Sequence, residues 1–311
     1  MTNLANLGSV ESPSLSVQRL FPRNATPLID LLTAKPACAF DFFYQLKLTQ
    51  TSPWLAYRAD AAELAMRFRD GSLDVEYLAN WAGSQSVYVK TWYDAMASGV
   101  NPTQSDSTKM PLAWSGTTRD FPAYSRLSNG IAAPLFTTDG VNDYLLHTGA
   151  IGISGNPNLS IAMVAANATD NGHFCAIGDT AIGADKVLAV FREAAATNAL
   201  VGQNSTGYVD RAATALGTPA RHMITRESGA DSNATVWRQS GAALALTDSA
   251  ADTPNLEDDG LSVASHTNVG GYGALKMGHL AVFAHNYSHA GNATDLATWE
   301  AWALKAYPGI L

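Results

Sequence analysis

The stretch VYVKTWYDAMASGVNPTQ, Val87 to Gln104, decides the fold. Val87, Val89, Thr91 and Tyr93 alternate with Tyr88, Lys90, Trp92 and Asp94, the period of two that a pleated strand requires. Ser98-Gly99 and Asn101-Pro102 then break it, because Gly permits positive φ and Pro offers no amide donor. Upstream, Asp70-Gly71 predicts a turn, and Asp74 predicts the cap of a short helix over Val75–Trp81. Further upstream, Cys38–Leu48 and Glu63–Phe68 carry strand-type residues, with Leu64, Met66 and Phe68 sharing one face.

Downstream, Asp139-Gly140 is a turn dipeptide and Tyr144-Leu145-Leu146 is strand-like. Residues 159–290 read as short strands between polar turns: Leu159–Ala165, Lys186–Phe191, His222–Arg226, Ala234–Arg238 and His279–Ala284. Val236–Leu244 reads as a hairpin around Ser240-Gly241. Turns at this frequency predict an all-β sandwich. The tail predicts a helix over 294–307, capped by Asn292 or Thr294. Leu296, Trp299, Ala303 and Tyr307 fall at near-helical spacing, and Pro308-Gly309 stops it.

Composition narrows the function. Of 311 residues, 47% are hydrophobic and only 15% charged, which fits the Ser/Thr/Asn/Gly-rich surfaces of β proteins. A formal net charge of −8 argues against nucleic-acid backbone binding, which needs clustered Lys and Arg. No stretch approaches the roughly 20 apolar residues of a membrane span. The first residues, MTNLANLGSVESPSLS, lack the basic start and apolar run of a secretory signal. The four Asn-x-Thr sites at Asn24, Asn167, Asn233 and Asn292 are therefore read as turn chemistry. Cys38 and Cys175, far apart in the chain, are expected as free buried thiols. Residues 1–36, punctuated by Pro13, Pro22, Pro27 and Pro36, read as an arm whose Leu20-Phe21 and Leu31-Leu32 pairs need burial, on their own domain or on a neighbour. Residues 37–311 form the domain.

The Val87 stretch resembles the "TTWYDQSGNGNNATQ" segment of concanavalin-A-like domains found in many tailed-phage virion proteins, and is similar to one in the fungal α-L-arabinofuranosidase B catalytic domain. Four segments match in order: Asp70–Ala95, Ser98–Gln104, Pro134–Leu145 (PLFTTDGVNDYL, against "FDGSNDYL") and Met277–Ile310. The resemblance implies a concanavalin-A-type jelly roll with an N-terminal arm and a C-terminal helix. It implies a structural component of a tailed-bacteriophage virion (tail, fibre or head decoration), made in the host cytoplasm and attached through residues 1–36 to other virion proteins. Host-surface glycan binding follows from the fold's lectin relatives, and such proteins act as homo-oligomers, here expected as a trimer or another homo-oligomer. The alternatives are a purely structural decoration protein and an arabinofuranosidase-type glycoside hydrolase. Ala284-His285-Asn286-Tyr287 stands where "IYDR" is usual, and no catalytic residue carries over.

A glycosidase needs two carboxylates roughly 5–10 Å apart; Glu193, Asp210, Glu227, Asp231, Glu257, Asp258 and Asp259 offer acids without a pairing. Glu257-Asp258-Asp259-Gly260 has oxygen ligands for calcium but lacks the alternating spacing of a calcium loop, so it reads as a turn and no cofactor is assigned. His266, His279, His285 and His289 lie close in sequence; His285 and His289, four apart, would share a face only on a helix, and they read as strand and loop, so no metal is assigned. No G-x-S-x-G elbow and no phosphate-cradling glycine loop is present. For carbohydrate, the candidate stacking platforms are Trp81, Trp114, Tyr208, Trp237 and Tyr272, each near a loop signal.

Overall fold

The computed structural model describes residues 26–126, 132–168, 170, 172–179, 186–192, 198–203, 209–213, 218–227, 235–248, 255–267, 270–287 and 292–310. They form an all-β sandwich of jelly-roll type with a short C-terminal helix. In the larger sheet the strands run Ala242–Ala243, Thr235–Gln239, Ala220–Arg226, Leu159–Asn167, Leu275–Phe283, Ala132–Thr137, Leu112–Trp114, Val87–Trp92, Trp54–Arg58 and Glu63–Ala65. Cys38–Asp41 adds to Leu275–Phe283, and Ala123–Arg126 to Ala132–Thr137. The smaller sheet runs Leu145–Thr148, Gly260–Val263, His173–Gly178, Val187–Arg192, Asn198–Gln203, Val209–Ala213 and Leu246–Asp248. The pairings are antiparallel. Leu159–Asn167 is buried along its whole length and Leu275–Phe283 at all but one residue, as continuous apolar runs at the centre of a sheet should be. Phe174 meets His222 across the layers at 5.8 Å between centroids.

Val87–Trp92 is the strand that its alternation predicts. The WYDAMASG turn after it is organised by Asp94. Its carboxylate accepts the Ala39 N–H at 2.8 Å, Met96 N–H at 3.0 Å, Ser98 N–H at 2.8 Å and the Ser98 hydroxyl at 2.7 Å. The Asp94 N–H in turn donates to Asn101 Oδ1. Asp70-Gly71 and Ser240-Gly241 both turn hairpins with positive φ at both central residues, 54° and 82° in the first, 53° and 88° in the second. Asp74 caps helix α2 (Val75–Ala82) through the Tyr77 N–H.

Two predicted strands are shorter than expected. Cys38–Leu48 is extended only over Cys38–Asp41, because the Asp41 carboxylate accepts the N–H groups of Phe43 and Tyr44 and turns the chain away from the sheet. Glu63–Phe68 divides after Ala65: Arg67 pairs with Asp74 and lies over the Tyr77 ring, and Phe68 joins the Asp70-Gly71 hairpin.

Of the expected arm, residues 1–25 lie outside the described residues. The remainder belongs to the domain. Helix α1 (Leu28–Leu31) buries Leu28 and Ile29, with Leu32 behind them. Asp295, in helix α3 (Ala293–Ala306), accepts the N–H groups of Thr33 and Ala34 at 2.8 and 2.7 Å. Helix α3 packs through Trp299, Trp302 and Ala303 and ends at Ala306, just ahead of the Pro308-Gly309 stop that the sequence predicts. Its Asn292 caps no helical N–H; the side-chain amide donates to the Asn286 carbonyl instead. Cys38 and Cys175 are free and buried, and burial raises both thiols, Cys175 to about 12. Asn167 is fully buried with its side-chain amide on the Gly172 carbonyl, so its Asn-x-Thr site is structural.

Candidate functional site

Two loops meet where Ala132–Thr137 and Leu275–Phe283 pair at Thr137–Lys276. The first follows Thr138. Asp139 Oδ1 accepts the N–H groups of Val141, Asn142 and Asp143 at 2.8, 3.1 and 3.2 Å. Asp143 Oδ2 accepts the Asp139 N–H at 3.0 Å. The loop is thus closed by reciprocal capping, and Tyr144 leaves it with its N–H on the Lys109 carbonyl. The second loop carries Tyr272. Thr138 holds it: the Thr138 hydroxyl donates to the Gly273 carbonyl and accepts the Leu275 N–H at 2.8 Å. Gly273 is required there, since a Cβ would overlap the His173 carbonyl and meet Asn167 Nδ2 at 3.0 Å.

The result is a pair of half-buried tyrosines, Tyr144 and Tyr272, with ring centroids 5.9 Å apart and planes 32° from parallel. Lys109 lies beside both and is paired with Asp106 at 3.2 Å. The Asp106 N–H donates to Gln104 Oε1, which ties the cluster to the last residue of the Val87–Gln104 stretch. Behind the pair, His173 Nδ1 donates to the Gly271 carbonyl at 2.8 Å. Its ring stacks on Phe191 at 5.0 Å and meets His266 edge-on at 5.4 Å.

Burial lowers His173 to about 4, so the ring is neutral at physiological pH. The two loop carboxyls diverge. Burial, then the neighbouring Asp139, raises Asp143 to about 7. Burial alone would raise Asp139 too, but its three N–H donors outweigh it and hold this carboxyl below its usual range.

Of the expected platforms, Tyr272 is in this cluster. Trp81 is half-buried on α2 with the Arg58 guanidinium 5.0 Å above its ring, which covers that face. Trp114 and Trp237 offer no open face: they are 4% and 0% exposed, and Trp237 donates its indole N–H to His222 Nδ1 at 3.2 Å. Proximity to a loop signal placed them at the surface; packing places them in the core. Tyr208 lies outside the described residues. Tyr144 was missed as a platform because its neighbours read only as a strand, and the signal for it is the Asp-Gly-Val-Asn-Asp loop that presents it.

Of the seven acids named from sequence, four have described side chains. Glu193 and Asp231, and the side chain of Asp210, lie outside the described residues. Glu227 is exposed, Glu257 pairs with Lys186, and Asp258 caps the N–H groups of Ile151 and Gly152. In the 257–260 cluster Asp258 and Asp259 form a bend and Gly260 opens a strand; no group of three or more metal-ligating side chains occurs among the described residues. His289 lies outside them.

A second polar cluster is closed. Asp41 Oδ2 accepts from His279 Nδ1 at 3.2 Å and from the Tyr307 hydroxyl at 2.8 Å, and Trp299 donates its indole N–H to His279 Nε2 at 3.2 Å. Asp41 and His279 are fully buried. A histidine used as a general base needs Nε2 free to take a proton; here the indole occupies it, so the group anchors α3.

Among solved structures, the chain superposes on a GH54 α-L-arabinofuranosidase soaked with a cyclic sulfate inhibitor with a TM-score of 0.60 at 11% identity, over 87% of this chain and 64% of that one. It also superposes on an arabinofuranosidase complexed with arabinofuranosyl-α-1,2-xylobiose, with a TM-score of 0.59 at 12% identity, over 88% and 64%. The chain therefore spans less than two thirds of the length of these structures, and at this identity the likeness is one of fold. No family model matches the sequence, and no curated protein does.

Proposed function

We propose that this chain is a lectin-like sandwich that binds carbohydrate through Tyr144 and Tyr272. The observation that carries the reading is the tyrosine pair itself, two rings at 5.9 Å fixed by hydrogen-bonded loops. Aromatic faces stack on the C–H faces of sugars, and a pre-fixed pair loses little conformational freedom on binding. The fold shared with arabinofuranosidase structures supports the same reading. The test is a glycan array followed by titration calorimetry. Wild type is expected to bind polysaccharide, and Tyr144→Ala and Tyr272→Ala each to weaken it about tenfold, the loss of roughly 1.4 kcal/mol. A folded wild type that binds no glycan overturns the reading.

The finer part of the proposal is the setting: a component of a tailed-phage virion, homo-oligomeric, made in the host cytoplasm, presenting this face to the host surface. Its support is the ordered resemblance of four sequence segments. Because residues 28–34 pack on the sandwich, attachment falls to residues 1–25. Deleting them is expected to abolish particle incorporation and leave the thermal midpoint unchanged; normal incorporation contradicts it.

A hydrolase is the second reading, and the divergence of Asp139 and Asp143 favours it, since an ionised and a protonated carboxyl are the pair that glycoside hydrolysis uses. Both carboxylates already close their own loop, so we rank it second. Release of reducing sugar that Asp143→Asn abolishes supports it; no release removes it.

A further inference from the structure

We infer that the site takes a linear glycan along its length, one tyrosine under each of two consecutive sugars, and that Thr138 is the positioning residue that sets the spacing. This rests on the sugar-binding reading above and goes further by naming how the ligand lies. The two rings are 5.9 Å apart at a shallow 32°. At that separation and tilt the rings are offset rather than face to face, and we set one sugar against each. Successive rings of an extended oligosaccharide follow one another at a comparable interval. A site for a chain end needs only one such platform.

Each tyrosine stands on a different loop, and Thr138 is the junction. It immediately precedes the Asp139 loop that delivers Tyr144. Its N–H donates to the Leu275 carbonyl at 3.1 Å, and its buried hydroxyl donates to the Gly273 carbonyl while accepting the Leu275 N–H. Removing the hydroxyl therefore lets the Tyr272 loop shift against Tyr144 without deleting either ring.

The experiment titrates the full chain with cello-, xylo- and malto-oligosaccharides of one to four sugars, with the parent polysaccharides alongside. Affinity is expected to rise about tenfold from one sugar to two in the series that binds. Tyr144→Ala and Tyr272→Ala should each flatten that rise. Thr138→Val should lower two-sugar affinity to the one-sugar level and be rescued by Thr138→Ser; a general loss of fold would lower the affinity for every length and the thermal midpoint. Equal affinity for one sugar and two overturns the chain-wise placement. An unchanged ladder in Thr138→Val overturns the role of Thr138. A folded wild type that binds no oligosaccharide and no polysaccharide defeats the sugar-binding reading itself.

Discussion

Single carboxylates and histidines do much of the organising work here. Asp94 is the clearest case: four donors from two chain segments converge on it, so Asp94→Ala leaves several part-buried groups without a partner and is expected to cost about 3 kcal/mol or more, measured by chemical denaturation. The alternation of Val87–Gln104 revealed the strand but not this role, because a polar residue at a strand end reads as a turn former until the strand it binds is known. His222 gives a pH prediction. In the fold burial lowers it to about 4, whereas in the unfolded chain it charges near 6.5. The unfolded state thus binds the extra proton, and stability is lost as pH falls from 6.5 towards 4, by up to about 3 kcal/mol. His173, lowered by burial in the same way, adds to this slope. Asp143 acts oppositely: burial, then the neighbouring Asp139, keeps it protonated up to about 7 in the fold, so this group gains stability as pH falls through 7. His222→Gln should flatten the acid loss and Asp143→Asn should steepen it, in denaturation series between pH 4.5 and 7.5.

At the level of elements, α3 is held by a polar anchor inside an apolar contact. Trp299, Trp302 and Ala303 supply the buried face, while Tyr307 and Trp299 complete the hydrogen bonds of Asp41 and His279. Tyr307→Phe removes one donor from a buried carboxylate and should cost about 1–3 kcal/mol. Trp299→Ala opens a cavity and strands His279, for about 3–5 kcal/mol. Asp295→Ala should leave α3 in place but speed hydrogen exchange at Thr33 and Ala34, whose N–H groups it accepts. The helix, both Gly hairpins and α2 were legible from local chemistry, since caps and positive-φ turns are written in two to four adjacent residues. The early divisions of Cys38–Leu48 and Glu63–Phe68 were not. They depend on Asp41 and Arg67 finding partners that only the fold supplies.

The whole sandwich was legible as a class, through turn frequency, terminal helix and the resemblance of ordered segments, and the shared fold with arabinofuranosidase structures agrees with it. The site was half legible. Tyr272 was named, but its partner Tyr144 and the Thr138 junction join segments more than a hundred residues apart in the chain, which no spacing rule connects. The aromatics show the same limit: Trp237 and Tyr272 carry similar sequence signals, yet one ends fully buried and the other half-buried. The most direct measurement is a hydrogen-exchange footprint of the full chain with and without a polysaccharide it retains. Protection confined to Thr138–Leu145 and Gly270–Leu275 is the predicted result. Protection centred elsewhere, for example on α2 around Trp81, or no protection at all, would contradict it.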